Sequence, residues 1–183
     1  IVSCTIGFTV GTLCFQNKRS ANFMLGVCDI FQTFPSFVYL IPVMMLFGIT
    51  DTSVLIAVIV YATIPATRYT IEGLRSVPAG LHDAATMSGV NKFQRLTKIE
   101  FPLAFPHMML GINQTIVFAL FMVIIGAFIG TEDLGQYILK ALSDKKGAGI
   151  GLTLGICVAF IALIFDNLIR SWVEKRKKHL GID

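Results

Sequence analysis

The sequence predicts an all-α, polytopic membrane protein of about five transmembrane helices, and three observations carry that prediction. Hydrophobic residues make up 55% of the chain and charged residues only 14%, against about 25% charged in soluble domains. The apolar residues come in blocks near the ~20 that cross a bilayer as helix, with none of the alternation over roughly ten residues that marks barrel strands. Backbone polar groups in lipid must be satisfied within their own segment, so long apolar runs mean helices.

Taken in order, residues 1–15 form a first span. The chain begins with Ile1 and is apolar at once, with no basic leader or cleavage site, so the expectation is that upstream sequence is missing and this span is clipped. A polar turn with Lys18 and Arg19 precedes a second span, 23–48, interrupted by Pro35 and Pro42. A tight turn at 49–52 leads to a third span, 53–75, with Pro65 inside it. A polar interval follows to about Pro106, then a fourth span over 107–130. Residues 131–149 are a polar connection with a short helical pattern, Leu134, Ile138, Leu142. A fifth span, 150–172, ends in a tail that starts at Val173 and carries Lys175, Arg176, Lys177 and Lys178 in a row. We expect a single domain over 1–183, with 76–106 as a structured loop within it.

Lys and Arg on short loops set orientation. One side collects Lys18, Arg19, Arg75, Lys92, Arg95, Lys98 and the basic tail; the other holds Glu132, Asp133, Lys140, Asp144, Lys145 and Lys146. The first side is richer and is therefore assigned to the cytoplasm. The net charge of +4 reflects these span-end clusters, so no nucleic acid partner is expected. Cys4, Cys14, Cys28 and Cys157 lie in apolar stretches with no CxxC pair and read as small buried hydrophobes. His82, His107 and His179 have no metal spacing. No nucleophile–base set and no GxxxxGK[ST] phosphate loop occurs, so no catalytic residue, metal or cofactor is expected, and ATP chemistry would have to come from another chain.

The longest polar interval is DAATMSGVNKFQRLTKIEFP, Asp83 to Pro102. Pro78 suits the first turn of a helix. A short helix is expected over 79–88, with Leu81, Ala84, Ala85 and Met87 as apolar contacts and Gly89 as its C-terminal cap. A second fits 92–99, with Lys92, Arg95 and Lys98 near one face and Phe93, Leu96 and Ile99 as contacts. Pro102 is expected to end it and Pro106 to open the next span. Ala84 and Ala85 are small enough for a partner surface to approach closely.

This interval resembles the EAA loop of permease subunits in binding-protein-dependent ABC importers. The family pattern is Glu-Ala-Ala, three residues, Gly, nine residues, then Ile-x-Leu-Pro. Here it runs Asp83, Ala84, Ala85, Gly89, Ile99, Phe101, Pro102, with both gaps matching; Asp83 replaces Glu and Phe101 replaces Leu. The segments QTFPSFVYLIPVMMLFG from Gln32, GINQT from Gly111, GAFIGTEDLGQ from Gly126 and FDNLIRSW from Phe165 resemble the glycine betaine, choline and proline subfamily. The resemblance implies a type I ABC importer permease fold in the bacterial cytoplasmic membrane. It implies two cytoplasmic ATPase subunits docked on the loops, a second permease subunit (identical or different) and an extracytoplasmic substrate-binding protein. It also implies that Asp83, Ala84, Ala85, Gly89, Ile99 and Pro102 couple ATP hydrolysis to alternating access, for a compatible solute such as glycine betaine, choline or proline betaine. An amino-acid importer of the same architecture, an ATP-independent channel or carrier, and a membrane-embedded enzyme are the other readings. The enzyme would need ionisable residues clustered near mid-membrane.

Polar groups in lipid usually face a partner or a cavity. Asn113 and Gln114 in the fourth span serve either interhelical hydrogen bonding or pore lining. Thr33, Pro35, Ser36 and Tyr39 are pore-lining candidates around a proline that frees backbone carbonyls. Asp29, Arg68, Glu72 and Asp166 fall toward cytoplasmic span ends, and Arg68 is expected either to pair with Asp29 or Asp166 or to snorkel to water. Trp172, Arg170 and the basic tail form an interfacial anchor; the tail is expected to mark topology, with contact to anionic membrane lipid as the other reading. The one Trp is at the cytoplasmic edge and the tyrosines at 39, 61, 69 and 137 do not cluster, so the selective site, such as an aromatic cage for a quaternary ammonium, is expected on the binding protein.

Overall fold

A computed structural model describes residues 1–126, 134–143 and 148–180. Among them every regular element is a helix. Helix α1 is Val2–Phe15, α2 Lys18–Thr33, α3 Phe37–Phe47, α4 Asp51–Arg75 and α5 Ala79–Met87. Helix α6, Lys92–Arg95, runs through a π-helical turn at Leu96–Glu100 into α7, Phe101–Gly126. Helices α8, Leu134–Ser143, and α9, Ala148–Leu180, complete the order. Three helical stretches are long and apolar enough to cross a membrane: 51–75, 92–126 and 149–175. The α2–α3 pair makes a fourth if its bent halves count as one span, and α1 is a shorter apolar helix of 14 residues.

The second span is not one straight rod, because α2 and α3 meet at 88°. Pro35 offers no N–H, and Phe34 before it is extended at φ −72°, ψ 135°, the conformation a following proline imposes. Pro42 lies inside α3 without ending it. Helix α2 starts at Lys18, where the Asn17 side chain accepts the Arg19 N–H at 3.0 Å, so the polar turn shrinks to 16–17.

Pro102 and Pro106 correct the expected boundary between loop and fourth span. Neither stops the helix: Pro106 lies inside α7, and Pro102 is its second residue. Proline deletes one donor and crowds the carbonyl four residues back. The turn just before it is the wider π form, in which the Phe101 N–H reaches the Leu96 carbonyl five residues back. The fourth span is thus rooted in the loop, in one run from Lys92 to Gly126. The basic tail is likewise a continuation of α9, whose 33 residues span about 50 Å at 1.5 Å each, well beyond a hydrocarbon core of about 30 Å.

Helix α4 is the centre of the bundle, packed chiefly on α7 and α1. Glycines set these contacts. A Cβ on Gly7 would lie 2.4 Å from Ala66 Cβ, and one on Gly11 2.7 Å from Thr70 Cβ. A Cβ on Gly73 would meet His107 Cβ at 2.8 Å, and one on Gly111 would meet Tyr69 Cβ at 2.8 Å. The pairings run in the same direction for α1 and α4 and in opposite directions for α4 and α7. Arg75 caps the arrangement by donating to the Lys18 carbonyl at 3.3 Å and the Asn22 side chain at 2.7 Å. Phe105 stacks edge-on against Trp172 with centroids 5.2 Å apart. Lys18, Arg75, the α6 cations and the Trp172 end of α9 therefore gather at one end of the bundle.

Threonine hydroxyls inside the spans return to their own helix. Thr63, Thr67 and Thr70 donate to carbonyls four residues back at 2.6, 3.0 and 2.6 Å, as groups in lipid without water partners must. Gly7→Leu is expected to lower stability by about 1–3 kcal/mol, the range for overpacking a tight contact. Gly26→Leu, at a position with open space around it, is expected to leave stability unchanged. Thermal denaturation midpoints in detergent check both.

Candidate functional site

The loop between α4 and α7 is built from local rules. Pro78, at φ −57° and ψ 135°, precedes α5. The helix ends at Ser88, and Gly89 turns the chain at φ +70°, a left-handed conformation that costs glycine nothing. The Gly89 N–H then reaches the Thr86 carbonyl at 3.1 Å and the Val90 N–H reaches Ala85 at 3.1 Å, closing the end of the helix. Asn91 starts α6 with a reciprocal cap. Its side chain accepts the Gln94 N–H at 2.8 Å, and the Gln94 side chain accepts the Asn91 N–H at 3.2 Å.

Of the sequence candidates, Asp83, Ala84 and Gly89 are exposed, Ala85 is buried, and Ile99 and Pro102 are half-buried. The apolar contacts expected of α5 are corrected: Ala85 alone turns inward, while Leu81 is 40% and Met87 90% exposed. Phe93 on α6 is 72% exposed, whereas Leu96 packs on Leu74, Ala104 and Met108 at the root of the bundle. Helix α5 has no extensive packing against another helix. The loop thus presents small and apolar side chains outward at the charged end of the bundle. Beside it, a cleft of about 390 Å³ is lined by Phe15, Lys92, Phe93, Arg95 and Glu100, among others.

Glu100 was not a sequence candidate, yet it is the most buried charged group at this end, 2% exposed. Its Oε1 accepts from Arg95 Nε at 2.9 Å and lies 3.1 Å from His82 Nδ1 on α5. The available signal was a lone carboxylate in the otherwise apolar IEFP, two residues before the proline.

Within the spans, the structure chooses between the two carboxylates offered to Arg68. Its Nη1 donates to Asp29 Oδ1 and, at 2.9 Å, to Gln32 Oε1, and its Nε donates to Glu72 Oε1 at 2.9 Å. Asp166 is elsewhere: it takes Arg170 Nε, one turn along α9, at 2.9 Å and the Asn113 amide from α7. Asn113, buried at 8% exposure, therefore bridges two helices, and Gln114 beside it is half-buried. Thr33 and Pro35 are exposed at the α2–α3 bend and Ser36 is half-buried.

Tyr39 is buried, with its hydroxyl donating to the Phe31 carbonyl. It packs 5.0 Å from Tyr61, which stacks 4.7 Å from Phe118, so the expectation of scattered tyrosines is corrected for Tyr39 and Tyr61. These rings fill a core with Cys28, Leu40, Val54 and Met122. Cys157, by contrast with the expected burial, is exposed on α9. Glu132, Asp133, Asp144, Lys145 and Lys146 lie outside the described residues. Among the described residues no three His, Cys, Asp or Glu side chains group as a metal site.

Replacing Arg68 with Ala leaves Asp29 and Glu72 without their counter-ion and is expected to destabilise more than Asp29→Ala does. The Arg68→Ala/Asp29→Ala pair is expected to show a coupling of about 1 kcal/mol or more in a double-mutant cycle read by denaturation in detergent.

A trimethylamine N-oxide transport system permease protein of Pelagibacter ubique is 90% identical over 181 residues, 99% of this chain and 25% of the relative. A protein of the same description from Ruegeria pomeroyi is 46% identical over all of this chain and 28% of its own length. A glycine betaine transport system permease protein of Bacillus subtilis is 33% identical over 99% of the chain and 64% of its own length. The chain thus spans about a quarter of the length of the trimethylamine N-oxide permeases it matches. A structure of the MetNI methionine ABC transporter in an inward-facing conformation superposes with a TM-score of 0.81 at 19% identity, over 96% of this chain and 90% of that one; at that identity the likeness is one of fold. The family described as binding-protein-dependent transport system inner membrane component matches residues 3–179, and the chain belongs to it.

Proposed function

We infer that this chain is part of the transmembrane permease of an ATP-driven importer for a methylated-amine compatible solute, and that trimethylamine N-oxide is its substrate. The observation that carries the substrate is the 90% identity, sustained over 99% of the chain, to a permease named for that solute. Glycine betaine, choline and proline betaine belong to the same chemical class and are the competing substrates. The amino-acid reading has only a shared fold behind it.

The chain itself carries no chemistry in this scheme. Two cytoplasmic ATPase subunits dock on the 76–106 loops of two permease subunits, an extracytoplasmic binding protein delivers the solute, and lipid surrounds the spans. What supports docking is the form of the loop: α5 stands off the bundle and offers Ala84, Met87 and Gly89 outward, a surface on which closely approaching apolar contacts are made. ATP-driven closure of the ATPase pair would move α5, and the run from α6 into α7 would carry that motion into the fourth span. Asp83, Ala84, Ala85, Gly89, Ile99 and Pro102 are the coupling residues of this scheme. Thr33, Pro35, Ser36, Tyr39, Asn113 and Gln114 remain its pore-lining candidates, whose exposure changes as the helices rock.

The full-length permease with its ATPase and binding protein, expressed in a strain lacking methylated-amine uptake, is expected to accumulate labelled trimethylamine N-oxide. Excess glycine betaine competing fully would move the substrate to that solute, and competition by amino acids alone would overturn the class. Gly89→Arg places a bulky cation where φ is +70° and is expected to abolish uptake while membrane insertion, read by immunoblot of the membrane fraction, is unchanged. Normal uptake in Gly89→Arg would remove the docking role.

A further inference from the structure

Helix α5 has little to hold it. It is nine residues long, shorter than the ~12–15 at which isolated helices are marginal in water, and Ala85 is its one buried side chain. Its polar tie to the bundle is His82, which reaches the buried Glu100 at 3.1 Å. Glu100 belongs to the helix that becomes the fourth span, so this contact joins the loop helix to the root of a transmembrane helix.

The second partner of Glu100 depends on an irregularity. Arg95 and Glu100 are five residues apart. On an α-helix, side chains three and four apart are neighbours, and five apart they diverge by about 140° at 3.6 residues per turn. The π turn at Leu96–Glu100 is wider, with hydrogen bonds closing five residues back, so residues five apart lie nearer one face, and Arg95 and Glu100 meet at 2.9 Å. The wide turn, the carboxylate and the Arg95 and His82 side chains against it thus form one unit. A carboxylate 2% exposed is stable only with such partners: Arg95 Nε donates to Oε1, and His82 Nδ1 lies 3.1 Å from the same oxygen. His82 and Arg95 are about 30% exposed, so the unit is closed toward the bundle and open toward the loop surface.

We propose that Glu100 is the positioning residue of the loop: with His82 and Arg95 it latches α5 to the base of the fourth span, so that displacement of α5 is transmitted to α7 rather than lost in the Gly89 turn. The proposal rests on the importer reading above. The other ionisable groups of the loop, Asp83 on α5 and Lys92 and Lys98 on the α6 run, are exposed and are not part of the latch.

The test uses the complete complex of permease, ATPase and binding protein in proteoliposomes, reading ATPase co-purification, ATP hydrolysis and solute uptake separately. His82→Leu removes the α5 imidazole from Glu100 at a site about 30% exposed and leaves the Arg95–Glu100 pair in place. We expect it to retain the ATPase subunits while uptake per ATP hydrolysed falls about tenfold, the scale of one polar contact to a buried charged group. Glu100→Gln, which removes the charge that His82 and Arg95 both face, is expected to do the same. His82→Gln keeps a donor on α5 and is expected to restore coupling to within about twofold. Unchanged uptake per ATP in His82→Leu, or an equal loss in His82→Gln, would overturn the latch while leaving the importer reading intact. Failure of the unaltered permease to hold an ATPase would overturn the importer reading and the latch with it.

Discussion

Helix α4 can be approached closely because its neighbours withhold side chains, and the rest of the bundle is arranged around that approach. In lipid there is no hydrophobic gain from bringing two apolar helices together, so van der Waals fit and close backbone contact must supply the attraction. Gly7 and Gly11 let α1 lie against Ala66 and Thr70; Gly73 on α4 and Gly111 on α7 do the same on the other side. Any Cβ at these positions would fall within 2.8 Å of a neighbouring atom, closer than atoms pack.

The charged side chains follow from the same solvent. Asp29, Arg68 and Glu72 satisfy one another across α2 and α4, and Asp166 is shared between Arg170 and Asn113. Each group lies within about two to three turns of the charged end of the bundle, at 1.5 Å rise per residue. Their cost in hydrocarbon is met by pairing as well as by reach toward water. The arrangement also separates two uses of polarity: the Arg68 and Asp166 groups tie spans to each other, whereas Glu100 ties a span to the loop.

Composition and run length made the helical membrane class legible, and the spacing from Asp83 to Pro102 made the family legible, because both are properties of linear order. Three features were not readable in that way. The Gly7–Gly11 spacing of four is the small-residue signature of close helix packing, but its partner Ala66 lies 55 or more residues away and carries no mark. The 88° turn at Pro35 and the absence of any break at Pro102 and Pro106 show that proline reports a missing donor and not an angle. The angle depends on whether neighbouring helices hold the chain straight, and α7 is held by α4 along its length. Tyr39 and Tyr61 meet only because α3 folds back across α4.

The site repeats this division. Ala84, Ala85 and Gly89 were visible because small residues and a left-handed turn have few substitutes. Glu100 was not, because its significance comes from burial and from a π turn that has no residue signature of its own. Helical periodicity places Arg95 and Glu100 on different faces, so reading the loop as α-helix separates the pair that the structure joins at 2.9 Å. Pro102 is the link between the two views. As a linear motif it closes the family pattern; as a physical object it removes one donor just beyond the wide turn. A residue that looks like a stop signal in sequence sits inside one helical run from Lys92 to Gly126.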